Sequence, residues 1–126
     1  MDEKEFISKV DEKFPEYKDS KILISTLEKI YQYFSDIESK TKNPNGNFSA
    51  VIGPKPYTKV DVLLGKNYVS FIRENGLIKI TGFDSNKEEM ISFDSIIVSN
   101  GDPVMKSNGI PFSTTQLRKL LDFLLS

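Results

Sequence analysis

The sequence predicts an α+β fold: an N-terminal helical hairpin, an antiparallel β-meander of about five strands, and a C-terminal amphipathic helix packed on the sheet. Three observations predict it. Residues 1–42 carry apolar side chains at helical spacing, residues 47–99 carry short alternating runs punctuated by Gly and Asn, and residues 113–126 return to a leucine stripe. A chain of 126 residues suits one domain, and the sequence predicts a single α+β domain over 1–126.

Between Asp2 and Phe14, the residues Phe6, Val10 and Phe14 stand four apart with Ile7 beside them, which predicts a short amphipathic helix. Pro15 ends it, because a proline disfavours helical geometry in the residue before it. A stronger helix follows from about Asp19 to Lys40, with Asp19 or Ser20 as its cap. Its stripe of Leu23, Leu27, Ile30, Phe34 and Ile37 has coiled-coil spacing over about two heptads. Packing into the core is the first expectation for this stripe, and a homodimer through the second helix is the alternative. The cluster Asn43-Pro44-Asn45-Gly46-Asn47 predicts a turn.

The strand-like part begins with Phe48, Ala50 and Ile52, breaks at Gly53-Pro54-Lys55-Pro56, and resumes at Thr58–Leu64, Tyr68–Glu74, Leu77–Phe83, Glu88–Phe93 and Ile96–Ser99. Gly65-Lys66 fits a type II′ hairpin turn and Asn75-Gly76 a type I′ turn. These turns imply a register. Leu64 meets Asn67, Val62 meets Val69, Val60 meets Phe71, Glu74 meets Leu77 and Phe71 meets Ile80. A loop at Asp84–Lys87 would pair Phe83 with Glu88, Ile80 with Ile91 and Ile78 with Phe93. One face then holds Val60, Val62, Val69, Phe71, Ile78, Ile80, Ile91 and Phe93, and a slip by one residue would scatter them.

The opposite face reads as three rows. Asp61, Ser70, Thr81 and Met90 form one, Lys59, Ile72, Lys79 and Ser92 the second, and Leu63, Tyr68, Phe83 and Glu88 the third. Residues 100–112 read as a long loop. Ser113 and Gln116 form a capping box, and Leu117, Leu120, Leu121, Leu124 and Leu125 form the stripe of the last helix.

Composition excludes whole chemistries. The chain has no His, Cys or Trp, so there is no imidazole base, thiol nucleophile, thiolate metal site or disulfide. Acid-base chemistry would fall to Asp, Glu, Lys and Tyr. With 17 basic and 18 acidic residues spread evenly, neither a nucleic-acid binder nor a strongly acidic mimic is expected. The start MDEKEF lacks the basic and apolar stretches of a secretory signal, and no apolar run nears the ~20 residues of a membrane span, so a cytoplasmic location is expected.

Two small clusters on the mixed face are candidate binding residues. Leu63, Tyr68 and Phe83 are apolar on a face that has no evident need for it, which suits a docking patch. Asp61 beside Ser70 and Thr81, with Lys59 and Lys79 one row away, suits a phosphate, a carboxylate or an anionic lipid. The acidic hairpin of Asp84, Asn86, Glu88 and Glu89 matches no calcium loop, and no metal or cofactor is expected.

The run KNYVSFIRENGLIKITGFDSNKEEMISFDSIIVSNG, followed by an amphipathic C-terminal helix, resembles the middle and end of small bacterial pleckstrin-homology-like domains over roughly residues 58–126. That resemblance implies a binding scaffold built on a barrel, here with two extra N-terminal helices. It carries no ligand residues over. The expected function is a non-enzymatic protein-binding module, such as a small bacterial or phage regulator, inhibitor or immunity-type protein. The alternatives are a small-ligand or anionic-lipid binding domain and an enzyme using carboxylates and lysine.

Overall fold

Six strands in sequence order, β1 (Phe48–Ile52), β2 (Lys59–Leu64), β3 (Asn67–Glu74), β4 (Leu77–Asp84), β5 (Glu89–Ser99) and β6 (Asp102–Met105), form one antiparallel sheet in a computed structural model. The structure describes residues 1–42 and 46–126, so the expected turn at Asn43, Pro44 and Asn45 lies outside the described residues. Helices α1 (Glu3–Lys13) and α2 (Pro15–Lys40) precede the sheet, and α3 (Thr114–Leu125) follows it.

The first two hairpins have the expected register. Leu64 pairs with Asn67, Val62 with Val69 and Val60 with Phe71. Glu74 pairs with Leu77 and Phe71 with Ile80. Asn75 and Gly76 both have positive φ, as a type I′ turn requires, and Gly65 alone does so in its turn, as type II′ requires.

The β4–β5 pairing departs from the expectation. Phe83 meets Met90 rather than Glu88, because the turn occupies Ser85–Glu88. The Asp84 side chain explains the longer strand. Its Oδ1 accepts the N–H groups of Asn86 at 2.9 Å and Lys87 at 3.3 Å, and Glu88 closes the turn at φ 52°. The ladder then runs from Thr81–Ser92 to Ile80–Asp94, leaving Phe93 as a bulge. Gly82, not Ile80, faces Ile91, and Ile96, not Phe93, faces Ile78. The shift of two residues preserves face parity, so Ile91 stays on the expected side. The bulge then brings Ile96 to that side as well.

Two further expectations are corrected. Strand β5 continues through Asp94 and Ser95, where a joint was expected, and residues 102–105 form a sixth strand instead of part of a loop. Asn100 and Gly101, both at positive φ, make the connecting turn. The sheet also stays open, because β1 and β6 are its two edges and do not pair. The barrel implied by the pleckstrin-homology resemblance is therefore absent.

Both long helices cover one face. Leu23, Leu27, Ile30 and Phe34 of α2 and Leu117, Leu120 and Leu124 of α3 are buried with Val60, Val62, Val69, Phe71, Ile78, Ile80 and Ile96. The coiled-coil-like seam of α2 is thus occupied by this chain's own sheet. Helix α2 begins at Pro15 rather than near Asp19, since proline at a first helical position gives up no hydrogen bond. Its N-cap, Phe14, makes no side-chain capping bond. Ser113 and Gln116 make the expected capping box on α3, but Leu125 points out of the core at 77% exposure. No residue of α1 is buried.

Candidate functional site: the open face of the sheet

With α2 and α3 on one side, no helix or strand among the described residues lies over the second face of the sheet. Cross-strand partners share a face, and the register therefore puts Leu63, Tyr68, Phe83 and Met90 in one row across four strands. The Tyr68 and Phe83 rings stack with centroids 5.4 Å apart and planes 17° apart. The Tyr68 hydroxyl donates to Met90 Sδ at 3.4 Å. Leu63 is 37% exposed and Met90 59%, and Val51 adds a further exposed apolar side chain in the neighbouring row. Water therefore meets a continuous apolar strip with two stiff rings at its centre.

Two residues of β5 stand in other rows than the sequence predicts: Ser92 faces Thr81 instead of Lys79, whose partner is Ser95, and Met90 faces Phe83. Met90 was expected beside Thr81, with Glu88 ending the apolar row. Counting Asp84 as the residue that closes its own turn, rather than as the first loop residue, would have moved Met90 opposite Phe83. The signal was the Asp-Ser-Asn run at 84–86, a sequence that favours side-chain-to-backbone turns.

The polar candidates lie beside this strip. Ser70 donates its hydroxyl to Asp61 Oδ1 at 2.6 Å, and the Lys59 ammonium stands 3.5 Å from Asp61 Oδ2. Together with Leu63 and Tyr68 they line a shallow cleft of about 240 Å³. Lys59 and Lys79 both face Ile72 of β3, one from each side. They sit on strands two steps apart, roughly 10 Å between backbones. The structure brings Asp61, Lys59, Leu63 and Tyr68 together, and it leaves Lys79 outside that cleft.

Both edges of the sheet are partly engaged by other segments of the chain. The Ala50 N–H at the middle of β1 points outward, and Glu38 Oε1 of α2 accepts it at 2.7 Å. Along β6, the segment Ile110–Phe112 returns as a partial extra strand: Met105 N–H donates to Ile110 and Phe112 N–H donates to Pro103. Blocked edges resist pairing with a foreign strand.

A second cleft, of about 300 Å³, opens between α3 and the β5–β6 hairpin. Ile80, Phe93, Met105 and Leu120 form its apolar wall. The bulge turns Asp94 toward this side, where its carboxylate accepts Ser107 N–H at 3.2 Å and Ser107 Oγ at 2.6 Å. Asp94 thereby holds the turn after β6.

No family model, curated protein or solved structure matches this chain. What the geometry defines is an α+β module with one face covered by its own helices and one left open.

Proposed function

We propose that this chain is a non-enzymatic protein-binding module of regulatory or inhibitory type, which docks through the open sheet face. The observation that carries the reading is the strip Leu63–Tyr68–Phe83–Met90, with Tyr68 and Phe83 stacked and Leu63 and Met90 turned to solvent. Aromatic and methionine side chains are favoured at interfaces, and a stacked pair loses little freedom on docking. The covered edges favour a partner that lies on the face over one that adds a strand. Asp61 is engaged by Ser70 and Lys59, which suits the polar rim of an interface.

The test compares partners that co-purify with the wild type and with Leu63→Lys/Met90→Lys, a variant at two exposed positions. Loss of a specific protein from a folded variant supports the reading. An unchanged set of partners overturns it.

The cleft beside α3 favours a second reading, a small-ligand domain, because its volume is at the lower end of ligand sites and it joins an apolar wall to a few polar side chains such as Gln116 and Lys119. A thermal-shift screen against apolar metabolites checks it, with a shift abolished by Leu120→Ala as the supporting outcome. No such shift would remove this reading.

A further inference from the structure

The cleft between α3 and the β5–β6 hairpin has an apolar wall that the fold holds in place. The Phe93 ring lies over Gly82 and meets the Phe123 ring edge to face at 5.0 Å. Ile80, Met105 and Leu120 are buried beside it. The turn that supplies Ser107 and Asn108 is tied down, with Met105 N–H donating to Ile110 and Gly109 N–H donating to Met105. Ile110 nevertheless stands 50% exposed at this cleft. Ligand sites join such a preformed apolar surface to a few placed polar groups.

Hydrogen bonds within the chain engage the acceptors of this cleft and leave donors over. Asp94 accepts Ser95 N–H at 2.7 Å, Ser107 N–H at 3.2 Å and the Ser107 hydroxyl at 2.6 Å. Asn108 Oδ1 accepts Ile110 N–H at 2.9 Å. Gln116 Oε1 accepts Ser113 N–H at 2.7 Å and the Ser113 hydroxyl at 3.0 Å. A backbone N–H can only donate, so these bonds fix which end of each amide is oxygen. Asn108 Nδ2 and Gln116 Nε2 are then donors with no partner among the described residues. Lys119 makes no ion pair among those residues either, although Asp122 follows it on α3.

The charge balance selects the ligand. Asp94 and Lys119 are the charged residues of the lining. Three donors meet the Asp94 carboxylate, whereas no acid of the described residues meets Lys119. One unmatched cation beside two amide donors suits a group with a single negative charge and two acceptor oxygens. A phosphate dianion would bring a second charge that nothing here offsets. A cation would meet a carboxylate that is already engaged. The volume of about 300 Å³ admits about ten non-hydrogen atoms at the ~30 Å³ that one water molecule occupies in the liquid.

We propose that this cleft binds a small monocarboxylate with an apolar body. The carboxylate lies at Lys119, Gln116 and Asn108, and the body lies on Phe93, Leu120 and Ile110. The proposal rests on the cleft being a ligand site and adds the charge of the ligand and the chemistry of its polar end. Burial of the apolar body supplies most of the affinity. The exposed lysine mainly discriminates between head groups, since an ion pair in contact with water contributes little.

Octanoate, octanol and octylammonium share one alkyl chain and differ in charge, so titrating each into the full chain tests this, with amide chemical shifts read by NMR. Octanoate is expected to saturate shifts at Ser107, Asn108, Gln116 and Lys119. Octanol is expected to bind there about tenfold more weakly, and octylammonium more weakly still. Lys119→Met, at an exposed position, is expected to weaken octanoate about fivefold and to leave octanol unchanged.

Equal binding of octanoate and octanol at these residues overturns the carboxylate assignment and leaves the ligand cleft standing. Octanoate binding that Lys119→Met does not change has the same consequence. Shifts confined to the Leu63–Tyr68 strip, or no saturable shift with any of the three, overturn the proposal. A thermal-shift screen without a hit then removes the ligand cleft as well.

Discussion

Gly82 shows how one missing methyl group sets local packing. Phe93 and Phe123 meet edge to face over this residue, with centroids 5.0 Å apart. A Cβ at position 82 would lie 2.6 Å from the Phe93 ring and 2.9 Å from that of Phe123. Gly82→Ala is expected to destabilise the fold by about 1–3 kcal/mol, because both rings must shift to admit the methyl group; urea unfolding measures it. Asn67 acts through hydrogen bonds instead. Its Oδ1 accepts Ser85 N–H at 2.9 Å and Ser85 Oγ at 2.7 Å, while its Nδ2 donates to the Leu124 carbonyl at 3.3 Å. One buried amide thus ties two hairpin turns to the end of α3. Asn67→Ala leaves these groups without their partner and is expected to cost about 1–3 kcal/mol in the same measurement. Neither role was legible in the sequence, since each depends on residues far away along the chain.

At the level of elements, local signals were strongest where a few neighbouring residues decide the conformation. Ser113 Oγ accepts Thr115 N–H and Gln116 Oε1 accepts Ser113 N–H, so the start of α3 is written in four residues. Ser113→Ala is expected to lower stability by about 1 kcal/mol, read as a shift of the urea midpoint at unchanged slope. The Asn-Gly and Gly-Lys turns were equally legible, because positive φ restricts the choice of residue. The β5 bulge was not. Placing an extra residue at Phe93 depends on how Ile96 reaches the core opposite Ile78, a match made across strands. Strand β6 was missed for a different reason. Asn100-Gly101 is as clear a hairpin signal as Asn75-Gly76, but the four residues after it include Pro103, which weakens any strand reading. Proline fits there because β6 is near the sheet's edge.

Across the whole molecule, stability is distributed unevenly. The central strands β3 and β4 pair on both sides and carry Val69, Phe71, Ile78 and Ile80 into the core, whereas α1 contributes no buried residue. Hydrogen exchange in dilute solution is expected to show the slowest amides in β3 and β4 and the fastest helical amides in α1. Uniform protection of α1 and the core at every concentration would contradict this distribution.

Composition, the capping box, the hairpin turns and the alternation of apolar residues were enough to determine an α+β chain with a greasy face on its meander. These are local or periodic properties, and a short stretch of sequence carries them whole. Tertiary structure alone decided which helices cover that face, that Met90 rather than Glu88 completes the apolar strip, and that α1 lies outside the core. Each depends on contacts between distant segments, where a turn longer by one residue or a single bulge changes which side chains meet.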